Sequence, residues 1–293
     1  DKLSHLKMVI AVGTVMGLHA AFEIFVSGTP ISWSVIWTYL PVSLLYIGSM
    51  ALGYLGLRYI ELSVSSPICN SSGALVAVLT LLFVGGDDYS PLALCAILLV
   101  CAGAIGLGVV DATEDPELRA ERQKDGNYKY AKSFLALALP VAYCLLDAAG
   151  TFADNRVLEI LTDRFLAAGM AATRKECVDL AAASANCAYE LTFLAAAVVC
   201  FVYVVLIRKD KLIPRLEGPK YLGAICETAG QFAYIYAISD TSHLAMSAPI
   251  IASYCAASVL WSRLFLKEKL SWKHYAMIGL IVIGIALMGM LDL

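Results

Sequence analysis

Acidic side chains inside apolar stretches are the residues of this sequence best suited to chemistry. Asp147 lies in one such stretch, at positions 143–148. An ionisable group at mid-bilayer costs about 2.5 to 3.5 kcal/mol on insertion scales, so its presence requires a reason. Removal from water disfavours the charged form of a carboxyl group, so Asp147 could hold and release a proton. The alternative is a structural carboxylate that bonds a neighbouring helix or reaches the surface near Asp154.

Two further pairs of polar residues share a helix face. Glu227 and Gln231 are one turn apart, and they would suit a substrate amine or hydroxyl, or else bond a neighbouring helix. His19 and Glu23 are also four residues apart and could titrate together as a proton relay. A structural pair, or a pair that marks the interfacial end of a helix, is the commoner role for such residues.

Glu190 stands near the start of its predicted span, where an interfacial carboxylate is the commoner explanation. It completes the acidic candidates for substrate binding or proton coupling.

Proline marks a possible central site. Asn70 and Ser71 follow Pro67, and Tyr254 follows Pro249 at a corresponding position. Proline cannot donate a backbone hydrogen bond, so it frees carbonyl groups in the preceding turn to face a cavity. Two proline-broken helices in corresponding positions indicate a transport site, although a kink that only shapes packing is the alternative. The tyrosines expected in the cavity are Tyr54, Tyr236 and Tyr254.

Other kinds of site have little support in the sequence. The four histidines, at positions 5, 19, 243 and 274, are scattered, and no GxxxxGK[ST] phosphate loop is present. We therefore expect no catalytic residue, no metal, no cofactor and no ATP-driven transport. Basic residues are interleaved with acidic ones in short connections, so nucleic acid is not an expected partner. Among nine cysteines, Cys177 and Cys187 flank the end of a predicted polar loop and could form a disulfide.

The composition requires these residues to be positioned by membrane-spanning helices. The chain has 293 residues, of which 60% are apolar and 15% charged, against about 45 to 50% and 25% in soluble domains. Long apolar runs predict an all-α, polytopic membrane protein. We predict nine spans, at 8–27, 37–58, 62–84, 92–110, 132–153, 187–207, 221–239, 244–266 and 274–291.

Two long connections separate these spans. Residues 111–132 carry charges of both signs and predict a solvated linker. Residues 154–186 form a second predicted loop, with an amphipathic stretch at 157–166 that suits a helix on the membrane surface or a cap on the bundle.

An internal repeat relates the two halves of the chain. An offset of 182 relates Pro67 to Pro249, and an offset of 181 relates Gly103 to Gly284. Equivalent spans lie five crossings apart, so the repeat is inverted. We predict a first repeat at 1–111 that lacks its first helix, a linker at 112–131, and a second repeat at 132–293 with the loop inserted at 154–186. The expected helix-packing glycines are Gly103, Gly108, Gly279, Gly284 and Gly289.

Basic residues indicate the orientation. The nine-span arrangement puts 17 of the 21 Lys and Arg residues on one side and 4 on the other. The positive-inside rule then places the residue-1 end in the cytoplasm and Leu293 outside. The expected location is the plasma (inner) membrane.

The two copies resemble EamA-type members of the drug/metabolite transporter superfamily. The shared pattern is a tyrosine, a Ser-x-Pro and a glycine-rich helix, and the second copy, with Glu268, is the more typical one. The resemblance implies ten helices in two inverted five-helix repeats. It also implies two cytoplasmic termini, which disagrees with the charge count.

The expected function is a secondary transporter, acting as an exporter of small organic metabolites or drugs by alternating access. Proton coupling is one form of this hypothesis, and a facilitator or uniporter without coupling is another. A membrane-embedded enzyme and a structural membrane partner are the alternatives from other classes. The expected partners are a small-molecule substrate, protons and the lipid bilayer, and the acid-rich second half favours cationic or zwitterionic solutes.

Overall fold

The computed structural model describes residues 3–83, 90–122, 135–239 and 254–290; most of these residues are helical, and none of them forms a β-strand. Eleven α-helices are described: α1 Ser4–Phe22, α2 Trp33–Gly56, α3 Leu62–Cys69, α4 Ser72–Phe83, α5 Pro91–Thr113, α6 Pro116–Arg122, α7 Leu135–Ala167, α8 Arg174–Phe201, α9 Pro214–Ser239, α10 Tyr254–Trp261 and α11 Trp272–Met290.

Six helices of the described chain are long and apolar enough to cross a membrane. They are Ser4–Ser27, Trp33–Gly56, Pro91–Asp111, Ala136–Ala167, Arg174–Ile207 and Trp272–Met290. Each of them overlaps a predicted span, and together they make this chain a multi-pass membrane protein.

The other three predicted spans differ from a single long apolar helix. The span at 62–84 is divided into α3 and α4 around Asn70 and Ser71, three residues after Pro67. The span at 221–239 lies within α9, which is not one of the six apolar helices. Only the last part of the span at 244–266 is described, as α10 and the turn after it; Pro249 lies outside the described residues.

The prediction of a long loop at 154–186 was wrong. Helix α7 continues to Ala167, α8 begins at Arg174, and only residues 168–173 join them. No glycine or proline interrupts residues 151–167, so nothing ends α7 earlier. Gly169, with φ +65, follows the helix, and the side chains of Thr173 and Glu176 form a capping box that starts α8. The predicted amphipathic stretch at 157–166 is therefore the last part of a 33-residue helix.

The described chain divides into two compact units. The first unit contains Asp1–Ala51 and Ala149–Ala233. Its principal contact joins α1 to α8, and glycine residues of α1 allow the two helices to approach closely. A Cβ atom added at Gly13 would lie 2.5 Å from the carbonyl oxygen of Phe193 and 2.6 Å from the Cβ of Ala197. Since residues later in α1 meet residues earlier in α8, as in the contact of Gly17 with Leu194, the two helices are antiparallel.

The second unit contains Leu52–Ala148 and Tyr234–Leu293. Its principal contact joins α5 to α11, and the glycine contacts there are reciprocal. A Cβ atom at Gly103 would meet the carbonyl oxygen of Met277 at 2.9 Å, and one at Gly284 would meet that of Ala96 at 2.8 Å. This pattern makes α5 and α11 antiparallel. Fully buried aliphatic residues fill the same unit: Ile60, Val64, Val100, Leu107 and Ile281.

The predicted packing role is therefore confirmed at Gly103 and Gly284. It was wrong at Gly108 and Gly279, where nothing lies within 4 Å of an added Cβ atom.

Three helices end in the same unusual way. After α1, α8 and α10 the chain forms one π-helical turn, at Glu23–Ser27, Val202–Ile207 and Ser262–Leu266. A residue with positive φ follows each turn: Gly28, Lys209 and Lys267. A backbone bond over six residues then closes each end, from N–H of Thr29, Asp210 and Glu268 to the carbonyl groups of Glu23, Val204 and Ser262 at 3.0, 3.0 and 3.2 Å.

Candidate functional site

The most deeply buried carboxylate of the described chain lies in the first unit. Glu190 is 1% exposed and stands sixteen residues after the first residue of α8. Nδ1 of His19, on α1, lies 2.9 and 3.0 Å from its two carboxylate oxygens. Nδ2 of Asn186 donates to the same carboxylate at 3.2 Å. The close approach of α1 and α8 at their glycine contacts brings these side chains together.

This geometry places two of the predicted residues together. Glu190 is buried in the middle of α8, because α8 begins well before the predicted span. His19 contacts Glu190, on another helix, which the spacing of His19 and Glu23 did not indicate. Glu23 begins the π-helical turn after α1 and accepts a hydrogen bond from the hydroxyl of Thr29 at 3.1 Å.

A second carboxylate of the first unit is held by tyrosines. The hydroxyl of Tyr39, on α2, donates to Oδ1 of Asp154 at 2.7 Å. Tyr46 lies near the same carboxylate, and its hydroxyl donates to Oγ1 of Thr151 at 3.1 Å. Helix α2 thus supplies both donors, and α7 supplies both acceptors. A tyrosine can hydrogen-bond with its hydroxyl while its ring packs against apolar neighbours.

Aromatic contacts connect the two carboxylates. The rings of Tyr46 and Tyr189 meet edge to face with centroids 6.0 Å apart, and Tyr189 packs in the same way on Phe193 at 5.8 Å. Tyr189 directly precedes Glu190 on α8. The first unit therefore contains one continuous set of polar and aromatic side chains drawn from α1, α2, α7 and α8.

The tyrosine–aspartate group was not among the site residues predicted from the sequence. Asp154 fell one residue beyond the predicted end of the fifth span, so it was treated as a loop residue. The signal that could have found it is the lack of any helix-breaking residue after it, which predicts that the helix continues. Tyr39 and Tyr46 carried no such signal, since tyrosine is common at membrane interfaces.

Asp147 belongs to the second unit, and its side chain is half-buried on α7. Its carboxyl group accepts a hydrogen bond from Ser72, the first residue of α4. The thiols of Cys69 and Cys144 are near enough to interact with it electrostatically. Asp147 is therefore placed beside the break between α3 and α4.

The polar residues after Pro67 bond the helix itself. Nδ2 of Asn70 donates to the carbonyl oxygen of Ser66 at 2.8 Å, and the hydroxyl of Ser71 donates to that of Pro67 at 2.8 Å. The hydroxyl groups of Ser66 and Ser258 are 2.6 Å apart and both are buried. These bonds satisfy backbone groups at the helix break, so Asn70 and Ser71 act locally in this conformation.

The remaining predicted residues are only partly described. Tyr54 and Glu227 are half-buried, and each takes part in polar or ring contacts. Gln231 and Tyr236 lie in α9 and Tyr254 begins α10, but their side chains lie outside the described residues.

The cysteine hypothesis was wrong. Cys177 and Cys187 are buried free thiols on the same helix, α8. Ten residues of α-helix span about 15 Å, whereas a disulfide needs Cα atoms within about 7 Å. In the part of the chain that the structure describes, no three His, Cys, Asp or Glu side chains form a group that could hold a metal ion.

Comparison with known families gives one match. Residues 165–290 match the EamA-like transporter family. The matched region runs from the end of α7 to the last residue of α11, and it includes Glu190 and Glu268. It confirms the resemblance in the copy that the sequence analysis described as more typical. Comparison with curated proteins and with solved structures gives no match.

The EamA match agrees with the apolar helices. Both indicate a membrane protein with several crossings that resembles transporters of small molecules.

Proposed function

We propose that this protein is a secondary transporter that exports small organic solutes across the plasma (inner) membrane by alternating access. The EamA match and the six apolar helices support this function. The observation that carries it furthest is the buried Glu190–His19 pair, because an ionisable pair inside spanning helices is costly and is characteristic of proton and substrate pathways.

Three observations support the inverted repeat that alternating access requires. The unit boundaries, after Ala51 and after Ala233, lie 182 residues apart, which is the repeat offset. The hydrogen bond from Thr29 to Glu23 recurs 181 positions later, from Asp210 to Val204. Each unit therefore draws equivalent segments from both halves of the sequence.

The reciprocal glycine contact gives the third observation. Gly103 contacts Met277 and Ile281, and Gly284 contacts Ala96 and Val100. Adding 181 to the residue numbers takes Gly103 to Gly284, Ala96 to Met277 and Val100 to Ile281, so each contact is the equivalent of the other. Such a contact has local two-fold symmetry. Equivalent helices are antiparallel in both units, as helices related by an inverted repeat must be.

The Glu190–His19 pair is the proposed proton-coupling site. With a neutral imidazole and an ionised carboxylate the pair carries one net negative charge, and one added proton makes it neutral overall. A net charge is costlier to bury than a neutral pair, so the protonation state can bias the protein between two conformations. Glu23 and Cys187 are the other titratable groups near enough to interact with Glu190 electrostatically.

Asp147 is the second candidate for coupling. It is a carboxyl group beside a helix break, where its only described side-chain hydrogen bond comes from Ser72. The two sites differ in partner, because Glu190 already has a basic group and Asp147 does not have one among the described residues. A cationic solute could therefore pair with Asp147 while Glu190 responds to protons.

The experiment is proton release by the purified full-length protein in detergent when a panel of amino acids and cationic drugs is added. We expect release in the wild type and its loss in Glu190→Gln. Glu159→Gln is the matched control, because Glu159 forms an exposed pair with Arg156, and it should release protons as the wild type does.

The variant Asp147→Asn distinguishes the role of Asp147 from that of Glu190. Loss of solute binding in this variant would assign Asp147 to the substrate, whereas retained binding with lost proton release would assign it to coupling. Binding without proton release in the wild type would reject coupling and leave a facilitator. The absence of binding by any solute of the panel would reject the proposed substrate class.

A further inference from the structure

A cavity of about 490 Å³ in the second unit has no role in the proposed transport cycle. The described residues that line it are Arg263, Lys267, Glu268 and Lys269, from the turn between α10 and α11. The three basic side chains are exposed, and Glu268 is buried. The described lining is therefore mainly cationic, and it lies at the end of a short apolar helix.

The acidic residue among the described lining residues, Glu268, is already engaged elsewhere. The carboxylate of Glu268 accepts hydrogen bonds from the hydroxyl and backbone N–H of Ser63 at 2.6 and 3.0 Å, and from N–H of Leu62 at 3.2 Å. These donors are at the start of α3, where unpaired N–H groups favour a negative charge. Among the described residues, neither Arg263 nor Lys267 has a carboxylate partner.

Arg263 is held in place for binding. Its guanidinium donates to the hydroxyl of Tyr275 at 2.6 Å and lies over the tyrosine ring, 5.5 Å from the centroid. Lys267 has φ +57, a conformation that turns the chain sharply after the π-helical turn. The arginine therefore loses little freedom on binding an anion, and its planar fork matches a phosphate group.

The surroundings of the cavity match the depth of lipid headgroups. The rings of Trp261 and Phe265 stack with centroids 4.1 Å apart, and both side chains are exposed. Trp272, at the start of α11, is 75% exposed. Exposed aromatic residues at the ends of spanning helices form the belts that lie at the membrane interface. Apolar side chains exposed on the same helix end, Leu260 and Leu264, offer a surface for an acyl chain.

We propose that this basic cavity binds the phosphate headgroup of an anionic phospholipid. Basic pockets between membrane helices recognise such headgroups. The guanidinium and the ammonium groups would bind the phosphate oxygens, while Trp261, Phe265 and Leu264 would contact the acyl chains. A zwitterionic lipid would bind more weakly, because its own ammonium group would lie near Lys267 and Lys269. The proposal depends on the membrane location of the chain and not on its transport activity.

The experiment is a lipid titration of the full-length protein in detergent, followed by native mass spectrometry. Phosphatidylglycerol is the anionic probe, phosphatidylcholine is the zwitterionic probe, and inorganic phosphate tests the headgroup charge without acyl chains. We expect one phosphatidylglycerol to bind at least 10-fold more tightly than phosphatidylcholine, and inorganic phosphate not to compete at millimolar concentration. Equal affinity for the two lipids in the wild type would overturn the proposal whatever the variants do.

The double variant Arg263→Gln/Lys267→Gln tests the location of the site. Two basic residues near a membrane surface contribute enough attraction that their loss should weaken phosphatidylglycerol binding about 30-fold. Arg208→Gln/Lys209→Gln is the matched control, because these exposed residues follow an equivalent π-helical turn and Lys209 also has positive φ. The control should change the affinity less than 3-fold.

Two outcomes would contradict this location. An equal loss in both double variants would mean that the lipid responds to general surface charge, and effective competition by inorganic phosphate would mean a site for free anions. Tyr275→Phe provides a milder test, because it removes the hydrogen bond that holds Arg263 but no charge. It should weaken binding about 3- to 5-fold, in keeping with one modest hydrogen bond.

Discussion

The interiors of the two units differ in the side chains that bring their helices together. In the first unit, a half-buried carboxylate on α7 and a buried one on α8 are matched by tyrosine and histidine side chains on α2 and α1. In the second, α5 and α11 meet through glycine and aliphatic side chains. The comparison indicates that the first unit contains groups able to change their charge, whereas the second provides a close-packed contact that has no such freedom.

Several polar groups of the second unit lie at the ends of helices. Glu268 bonds the start of α3, and His274, which is fully buried, bonds Ser271 at 2.7 Å in the first turn of α11. Nε2 of the same histidine lies 3.7 Å from Asp111 near the end of α5. Asp111 and His274 therefore lie at one end of the α5–α11 contact, and Glu268 lies at the start of α3.

The largest expected effect concerns the ion pair of the first unit. Glu190→Ala leaves His19 and Asn186 without their acceptor in a buried site, and removal of one partner of a buried pair costs about 3 to 5 kcal/mol. Thermal unfolding in detergent would measure the change. The double variant His19→Ala/Glu190→Ala should be less damaging than the sum of the two single variants. Additive effects would mean that the two residues do not interact.

The next effect tests the glycine contact of the second unit. Gly103→Ala and Gly284→Ala place a methyl group against a backbone carbonyl, and such overpacking costs about 1 to 3 kcal/mol. Gly108→Ala and Gly279→Ala are matched controls in the same two helices, because their added Cβ atoms meet nothing within 4 Å. Both controls should be neutral or slightly stabilising in the same unfolding assay. Equal destabilisation by all four variants would contradict the packing account.

A smaller effect distinguishes the two tyrosines of the first unit. Tyr39→Phe removes a bond to a carboxylate, which contributes about 1.5 to 3 kcal/mol. Tyr46→Phe removes the bond to the hydroxyl of Thr151 and leaves the bond from Tyr39 to Asp154 in place. It should therefore lower the free energy of unfolding by about 1 kcal/mol. Denaturant titration of both variants would measure the difference. The opposite order would place the principal donor to Asp154 on Tyr46.

The smallest effect is expected at the surface. Arg174 and Asp163 form a pair whose side chains are 61% and 64% exposed. Such pairs contribute about 0.2 to 1 kcal/mol at most, so Arg174→Gln should change the melting temperature by no more than a degree or two. A shift as large as that of Tyr39→Phe would mean that this end of α7 is more strongly stabilised by ion pairs than its exposure indicates.

The sequence contains most of the information about the helices and little about their partners. Nine spans were predicted from apolar runs, because burial in lipid requires about 20 apolar residues in succession, and six of the nine overlap the described helices that are long and apolar enough to cross a membrane. The extension of α7 beyond 153 was missed because polar residues such as Asp154 and Asn155 resemble a loop when hydropathy alone is considered. Absence of glycine and proline was the better guide there.

Contacts between residues that are distant in the chain could not be predicted from the sequence. His19 and Glu23 are neighbours on one helix, and that spacing suggested a local pair. The structure brings His19 to Glu190, 171 residues away, because α1 and α8 approach closely at Gly13 and Gly17. Only the repeat offset links these two helices in the sequence, since positions 8–27 and 190–209 are equivalent under it.

Solute counterflow in proteoliposomes tests the central claim, transport by alternating access, most directly. Vesicles would be loaded with an unlabelled solute that binds the purified protein, and then diluted into a trace of the radiolabelled solute. The account predicts that the tracer transiently accumulates inside above its equilibrium level. This overshoot arises because the transporter carries labelled solute inward in exchange for the unlabelled solute that it carries outward. A tracer that rises only to equilibrium, without an overshoot for any binding solute, would contradict alternating access and indicate a channel.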